Sequence, residues 1–349
     1  MAYEGPYPNP YAAESNEWTT NRAGKINASG NANVQIGDNY YHHEAISCTE
    51  PYYPHFESSE TETTSVAPYS AYTPSPSESS KPDFDVAIFC ALPLEADAVE
   101  TLFDRWDAFG QYSKAPGDPN AYSTGIIGTH HTVLVHMPGM GKSHGASVAA
   151  FCRSSFPSIR LALVVGICGG APYTPDGQEI RLGDVVISSG LVQYDFGRRY
   201  TDGLERKDAM LDSLGRPSIE IRGLLAQLQS RRSRKMLQDR LCDHLAAVDG
   251  LSSRDSAFAS QQAYKPTIHI GLVASGDQVI KSEQIRNRLM ALEGVIAFEM
   301  ESAGIWDTFP CLVIKGVADY ADCHKNKKCQ SYAAATSAAC AKALLEIWN

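Results

Sequence analysis

The sequence lacks long hydrophobic runs, a recognisable export signal and an excess of basic charge. No apolar stretch approaches the roughly 18 residues that a membrane-spanning helix needs. The first residues contain neither the basic nor the apolar region of a secretory signal. A formal net charge of −10 disfavours nonspecific binding to nucleic acid. We therefore expect a cytoplasmic protein with no membrane and no nucleic-acid partner.

Paired cysteines are also absent. The 9 cysteines are widely scattered, and none forms a Cys-x-x-Cys pair. No spacing of Cys and His is typical of a zinc site. The pattern favours reduced, mostly buried thiols, and the sequence predicts neither a metal site nor a cofactor.

The composition changes near Lys81-Pro82. Residues 1–82 are rich in Ser, Thr, Tyr, Pro and Asn and have too few aliphatic residues for a core, which predicts a disordered tail. Within it, residues 30–41 place Val34, Ile36 and two tyrosines between Gly and Asn residues. This segment resembles short amyloid-type signalling motifs of fungal immune-like proteins, which would give the tail a signalling partner. A sticky stretch of linker is the alternative.

Residues 83–349 show alternating strand and helix signals, which predict one α/β domain. A polar, helical insertion is expected at about 203–264. Predicted strands cover 86–92, 122–127, 132–137, 161–165, 184–188, 268–273, 296–299 and 311–315. Predicted helices cover 94–103, 145–156 and 332–348.

A glycine turn at 139–143 ends like a phosphate-binding loop, with Gly141-Lys142-Ser143. The glycine expected five positions before Gly141 is His136, and His144 occupies the third glycine position of a dinucleotide fingerprint. What remains is a turn between a strand and a helix, whose backbone N–H groups can face an anion or a sugar oxygen. Gly141 is therefore a predicted substrate-binding residue.

Polar segments follow the carboxyl ends of the predicted strands, where open α/β sheets build ligand sites. They cover residues 91–95, 166–170, 274–277, 298–301 and 317–322. Three carboxylates, Glu95, Glu301 and Asp319, would converge there. Such convergence is costly unless the groups perform acid–base chemistry or bind hydroxyls.

These segments, in this order, resemble the nucleoside phosphorylase and nucleosidase superfamily, which includes purine nucleoside phosphorylases, uridine phosphorylases and methylthioadenosine nucleosidases. The resemblance covers 83–349 apart from the insertion and is close to the nucleosidase-like domain of fungal NOD-like receptor type proteins. It implies a central mixed, partly barrel-like sheet flanked by helices. It also implies a small-molecule purine partner and a homo-oligomer.

The resemblance assigns roles to individual residues. Asp319 would act as the general acid at purine N7, and Glu95 would take a proton from the attacking water. Glu301 would bind the ribose hydroxyls, with Met300 packed under the sugar. Lys315 replaces an arginine near the water, and it is a more mobile point charge.

The remaining predicted contacts surround the base and the 5′ end. Aliphatic residues follow the segment 275–277 where nucleosidases usually stack an aromatic ring, and adenine is the expected base. Arg198 and Arg199 would lie beside the sugar and suit a polyphosphate, since family members in immune-type proteins include nucleosidases acting on ATP. A surface position or a subunit contact is the alternative for these arginines. After the segment 317–322, positive charge could also come from His324, Lys325, Lys327 and Lys328, with solvated side chains as the alternative. The further predicted substrate-binding residues are Gly169, Ser275, Asp277, Val279, Ile280 and Phe298.

The residue at position 95 indicates whether the expected reaction is hydrolysis or phosphorolysis. Similar phosphorylases read Gly-Asp-Pro-Leu-Arg in this segment, and the arginine binds phosphate, whereas here Pro93-Leu94 is followed by Glu95. Ile167 and Val164 replace two further phosphate ligands. Hydrolysis of a purine nucleoside or nucleotide is therefore favoured. The alternatives are a phosphate-dependent purine nucleoside phosphorylase and a catalytically inactive nucleoside sensor.

Overall fold

The computed structural model describes residues 83–107, 112–201, 203–209, 211–249, 265–325 and 327–348. The predicted tail at 1–82, its motif at 30–41 and the last part of the predicted insertion lie outside the described residues.

A nine-stranded mixed sheet forms the centre of the fold. Its strands lie in the order β10-β9-β6-β11-β5-β1-β4-β3-β2, and β10 also pairs antiparallel with β5. This extra pairing joins β5, β11, β6, β9 and β10 into a closed ring. The strands are β1 (Val86–Cys90), β2 (Arg105–Trp106), β3 (Ala121–Ile127), β4 (His130–His136), β5 (Leu161–Gly170), β6 (Val185–Gln193), β9 (Ile268–Ser275), β10 (Val295–Glu299) and β11 (Cys311–Asp319).

The described residues form seven helices. They are α1 (Pro93–Glu100), α2 (Lys142–Ser155), α3 (Ile219–Leu228), α4 (Arg231–Asp249), α5 (Glu283–Glu293), α6 (Ser302–Ile305) and α7 (Gln330–Leu345). The alanine-rich α7 is almost wholly buried and packs against α1, α4, β5 and β11. Small side chains permit this close packing: a Cβ at Gly316 of β11 would collide with the carbonyl oxygen of Ala333.

The predicted α/β class, with a partly closed mixed sheet flanked by helices, is confirmed. The continuous apolar run that begins β5 is buried and pairs in parallel with β1 and β11, as such runs do in a covered sheet. None of the helices in the described ranges is long and apolar enough to cross a membrane.

The structure differs from the sequence prediction at strand ends and in the insertion. β5 continues to Gly170 and β11 to Asp319, so residues expected after these strands belong to their last pairs. The segment after residue 203 begins with a strand, not a helix. That strand, β8 (Gly203–Arg206), pairs with β7 (Gly197–Tyr200), and α3 and α4 follow.

Candidate active site

A cavity of about 330 Å³ lies where β5, β10 and β11 end and α1 begins. This volume is at the lower end of the range for small-molecule sites, about 300–1,000 Å³. The structure brings eight of the predicted site residues into its wall: Glu95, Gly169, Val279, Ile280, Phe298, Met300, Glu301 and Asp319.

Glu95 is held by backbone donors at the start of α1. Its Oε2 accepts hydrogen bonds from the N–H groups of Ala91 and Leu92 at 3.0 and 2.9 Å, and its Oε1 accepts one from Ile167 at 2.8 Å. The residue is only 3% exposed. Burial raises the pKa of Glu95, although Lys315 and the backbone donors act against this rise. Its carboxyl group is therefore fixed in position at the cavity wall.

Lys315 lies beneath the cavity and is not part of its wall. Its Nζ is 3.3 Å from Oε2 of Glu301 and 3.8 Å from Oε2 of Glu299, and the residue is 1% exposed. Burial alone would lower the pKa of Lys315, but the carboxylates of Glu301, Glu95 and Glu299 outweigh it and raise the pKa. The buried ammonium of Lys315 thus compensates the negative charge of several carboxylates. Direct contact between Lys315 and a substrate stays a prediction.

Glu299 organises the turn that carries Met300 and Glu301. Its carboxylate accepts hydrogen bonds from the backbone N–H of Glu301 at 3.1 Å and from the backbone and hydroxyl of Ser302 at 3.1 and 2.7 Å. Burial raises the pKa of Glu299. Sequence reasoning gave this residue no role, although the repeated Glu at 299 and 301 was a visible signal.

Asp319 ends β11 and faces the cavity from a tight turn. Its Oδ1 accepts a hydrogen bond from the N–H of Ala321 at 2.9 Å, and Lys325 Nζ lies 3.1 Å from its Oδ2. Ala321 has a φ of 52°, the left-handed conformation of such turns. The ion pair with Lys325 was not predicted, because the sequence does not reveal how the loop after β11 folds back.

Two glycines allow the carboxylates to approach the sheet. A Cβ at Gly166 would overlap the carboxyl group of Glu95. At Gly169 it would lie 3.1 Å from Oδ1 of Asp319 and 3.0 Å from the Cβ of Ala321. The carboxyl groups of Glu95 and Asp319 therefore fit in place because β5 has glycines, without side chains, at these two positions.

The other predicted binding residues lie outside the cavity wall. Ser275 accepts a hydrogen bond from the N–H of Ala303 at 3.1 Å. Gly141 and Asp277 meet each other, since a Cβ at Gly141 would lie 3.2 Å from Oδ1 of Asp277. Arg198 and Arg199 are exposed on the β7–β8 hairpin. Substrate contacts by these five residues stay predictions.

Lys325, Lys327 and Gln330 also line the cavity. Of these, sequence analysis gave Lys325 and Lys327 as possible sources of positive charge and did not name Gln330. All three follow Asp319 on the loop that leads into α7. In the described part of the chain, Lys327 has no carboxylate within ion-pair distance. No group of three or more His, Cys, Asp or Glu side chains within the described ranges is arranged to hold a metal ion.

Known proteins resemble this chain in sequence to different extents. A nucleotide-binding leucine-rich repeat (NLR)-like protein of Hyaloscypha variabilis is 32% identical over 295 residues, which are 75% of this chain and 29% of that protein. The chain thus spans less than a third of that relative. A 5′-methylthioadenosine/S-adenosylhomocysteine nucleosidase of Mycobacterium tuberculosis is 26% identical over 65% of this chain and 84% of its own length. For an ATP nucleosidase of Escherichia coli the identity is 23%, over 72% of this chain and 49% of that protein.

Solved structures share the fold. A 5′-methylthioadenosine/S-adenosylhomocysteine nucleosidase of S. pneumoniae superposes with a TM-score of 0.54 at 23% identity, covering 76% of this chain and 100% of that one. Futalosine hydrolase of Helicobacter pylori gives 0.53 at 19% identity, covering 76% and 98%. The family model described as the phosphorylase superfamily matches residues 85–346. The chain therefore belongs to the phosphorylase superfamily.

Proposed function

We propose that this chain hydrolyses the N-glycosidic bond of a purine nucleoside or nucleotide and releases the free base. The observation that carries the proposal is the convergence of Glu95, Glu301 and Asp319 on one cavity. Asp319 protonates N7 as the bond from C1′ to N9 breaks and its electron pair moves to the base. Glu95 takes a proton from the water that attacks C1′, and Glu301 binds the ribose hydroxyls.

The surroundings of Glu95 favour water over phosphate as the nucleophile. A phosphate beside Glu95 would face a carboxylate, and the nearby ammonium of Lys315 is already engaged by Glu301 and Glu299. The N–H of Ile167 could donate a hydrogen bond to phosphate, but it already donates one to Glu95. Relatives named as nucleosidases also support hydrolysis.

Apolar and cationic wall residues support a purine with an anionic 5′ substituent. Val279, Ile280 and Phe298 provide apolar surface for a flat base, and adenine is the first base to test. Lys325 and Lys327 line the cavity, unlike the predicted pair Arg198 and Arg199. Lys325 is already paired with Asp319. We therefore assign phosphate binding to Lys327, whose ammonium can form charge-assisted hydrogen bonds. A relative named as an ATP nucleosidase agrees with this choice.

A site that only senses nucleosides would not need Glu95. Binding uses the hydroxyl contacts of Glu301 and the apolar wall, whereas Glu95 serves the attacking water. Burying one more carboxyl group costs free energy, and substrate binding alone would not offset that cost. The carboxyl group of Glu95 therefore argues for catalysis.

The test is release of free base from adenosine, AMP, ADP and ATP, with and without inorganic phosphate. We expect turnover without phosphate, and ribose or its phosphate esters as the second product. Strictly phosphate-dependent turnover that yields ribose 1-phosphate would establish the phosphorylase alternative. Binding of these compounds without any release of base would establish the sensor.

Lys327→Gln tests the 5′ assignment within the same panel. We expect about a tenfold lower kcat/KM for nucleotides and little change for adenosine, because the substitution removes one charge-assisted hydrogen bond. Lys328→Gln is the matched control, since the neighbouring Lys328 does not line the cavity. Equal effects of the two substitutions would refute the assignment of phosphate binding to Lys327.

A further inference from the structure

Lys142 joins three loops beside the cavity through two carboxylates. Its Nζ lies 2.5 Å from Oδ1 of Asp195 and 3.5 Å from Oδ2 of Asp277. The side chains of Lys142 and Asp195 are 17% and 11% exposed, and that of Asp277 is 50% exposed. We refer to Lys142, Asp195 and Asp277 as the Lys142 clamp.

Backbone hydrogen bonds complete the Lys142 clamp. The N–H of Lys142 donates to Oδ1 of Asp277 at 2.9 Å, and the N–H of Asp277 donates to Oδ2 of Asp195 at 2.8 Å. Next to Asp195, the hydroxyl of Tyr194 donates to the carbonyl of Gln278 at 2.6 Å. The glycine turn before α2, the loop after β6 and the loop after β9 are thus tied to one another.

Each end of the Lys142 clamp continues into the cavity wall. Met140 lies two residues before Lys142, and Gln278, Val279 and Ile280 directly follow Asp277. The segment from Gly276 to Lys281 has no regular secondary structure that would hold it in place. Its position beside the cavity therefore depends on the bonds of the clamp, together with the backbone bond from Gly276 to Glu299 and the packing of the buried Ile280.

The Lys142 clamp also explains the sequence that resembles a phosphate-binding loop. Two carboxylates compensate the ammonium of Lys142, so the three charges sum to a net negative value. An incoming phosphate would be repelled unless the clamp opened. The lysine after Gly141 thus has a structural partner on the protein instead of an anionic ligand.

We propose that Lys142 and Asp195 are positioning residues that set the affinity of the cavity for its substrate. They hold Met140 and the segment 278–280 in the place where these residues contact the base and sugar. This proposal rests on the proposed function for the identity of the ligand. Neither residue touches the reacting atoms, so their loss is expected to change binding more than the chemical step.

Lys142→Met and Asp195→Asn test the clamp. We expect each to raise KM, and the dissociation constant of free adenine, by about tenfold while kcat changes less than about threefold, because the loss falls on ground-state binding. The double variant should be no worse than Lys142→Met, since that substitution already removes the ion pair with Asp195. Lys142→Arg should recover most of the affinity.

Lys342→Met is the matched control. Lys342 makes a similar ion pair, 2.5 Å from Oδ1 of Asp104, and donates to the carbonyl of Leu102 at 2.9 Å. Unlike Lys142 and Asp277, neither Lys342 nor Asp104 adjoins a segment of the cavity wall. Its loss should lower Tm without raising KM. If Lys142→Met also lowers Tm and leaves both KM and adenine affinity unchanged, the clamp has no positioning role.

The two proposals fail in different ways. If the wild-type chain releases no base from any substrate, the proposed function is wrong, and adenine affinity still tests the clamp. If base is released but the clamp variants keep wild-type KM and adenine affinity, only the positioning proposal is wrong. A wild-type chain that neither releases base nor binds adenine overturns both.

Discussion

The carboxyl groups of Asp319 and Glu95 share a cavity but have different partners. Asp319 faces the Lys325 ammonium and one backbone N–H, whereas Glu95 accepts three backbone hydrogen bonds. Lys325 is a side chain that can move aside when a substrate enters, but the donors to Glu95 are fixed parts of α1 and β5. The fixed donors suit a carboxylate that keeps a water in place, and the acid role proposed for Asp319 requires Lys325 to move away from it.

Asp319→Asn should fold normally and lose turnover by at least about 10²-fold, because an amide cannot deliver a proton to N7. The amide oxygen still accepts the hydrogen bond from Ala321. Substrate affinity should change far less, since Glu301 and the apolar wall remain. The measurement is kcat for a series of purine nucleosides whose bases differ in leaving-group pKa.

The leaving-group series separates the two carboxylates. The loss in Asp319→Asn should be large for poor leaving groups and smaller for acidic ones. Glu95→Gln should reduce turnover equally for every leaving group, because it disables the water instead of the base. An equal dependence on leaving-group pKa in both variants would mean that these roles are assigned wrongly. Near-native turnover of Asp319→Asn would refute the mechanism.

At the scale of residues, sequence reasoning found the groups that a strand end delivers. Glu95, Glu301 and Asp319 each follow or end a strand, so the topology of the sheet brings them to one place. Lys325 was considered only as a possible source of charge, and its ion pair with Asp319 was missed because it depends on how a loop folds back. A position of Arg198 and Arg199 beside the sugar stays a prediction. Their hairpin forms by pairing with 203–206, which the local sequence pattern does not indicate.

His130 links three elements of the fold. Its Nδ1 lies 2.7 Å from Oδ2 of Asp85, just before β1, and its Nε2 lies 3.1 Å from the carbonyl oxygens of Leu345 and Trp348 at the end of α7. The hydrogen bond with Asp85 raises the pKa of His130, against the opposing effect of burial. When it is protonated, the imidazole therefore stabilises the contact between α7 and the start of the sheet.

This contact predicts a pH-dependent stability. A histidine with a raised folded-state pKa contributes stability that is complete below its unfolded pKa of about 6.5 and is lost as pH rises through the folded value. His130→Gln should lower the free energy of unfolding by about 1–3 kcal/mol at pH 5.5, and the difference should shrink at higher pH. Denaturant unfolding from pH 5.5 to 9 measures it.

His324→Gln provides the comparison, because the His324 side chain is 86% exposed. Its effect on stability should be small at every pH. If the deficit of His130→Gln were the same at pH 5.5 and pH 9, the neutral imidazole would account for the contact. The assignment of a charged His130 would then be wrong.

At the scale of elements, hydrophobic patterns located eight of the nine strands of the central sheet but not all of their ends. The apolar run at the start of β5 was visible, but its glycine-rich end, 166–170, does not resemble a strand. That end pairs with β11 and β10, both distant in sequence. The β7–β8 hairpin was missed because its polar residues lack the alternation that marks a half-buried strand.

For the whole molecule, the fold from residue 83 onward supplies the complete cavity wall that is described. Phe84 already belongs to the core, where its ring packs edge-on against Phe156 at 5.2 Å between centroids. Asp85 then engages His130. The folded domain therefore needs the chain from about this point, while the preceding composition is unsuited to a core.

We predict that residues 1–82 are dispensable for catalysis. A chain that starts at Lys81 keeps Phe84, Asp85 and every residue of the described cavity wall, so its kcat and KM should match those of the full chain within about twofold. Parallel thermal unfolding should give a similar Tm, which separates loss of folding from loss of activity. A chain starting at Val86 is the comparison: without Phe84 and Asp85 it should lose stability, because a buried aromatic ring and the partner of His130 are removed. If the chain from Lys81 keeps its Tm but loses turnover, the segment 1–82 takes part in the enzyme's chemistry.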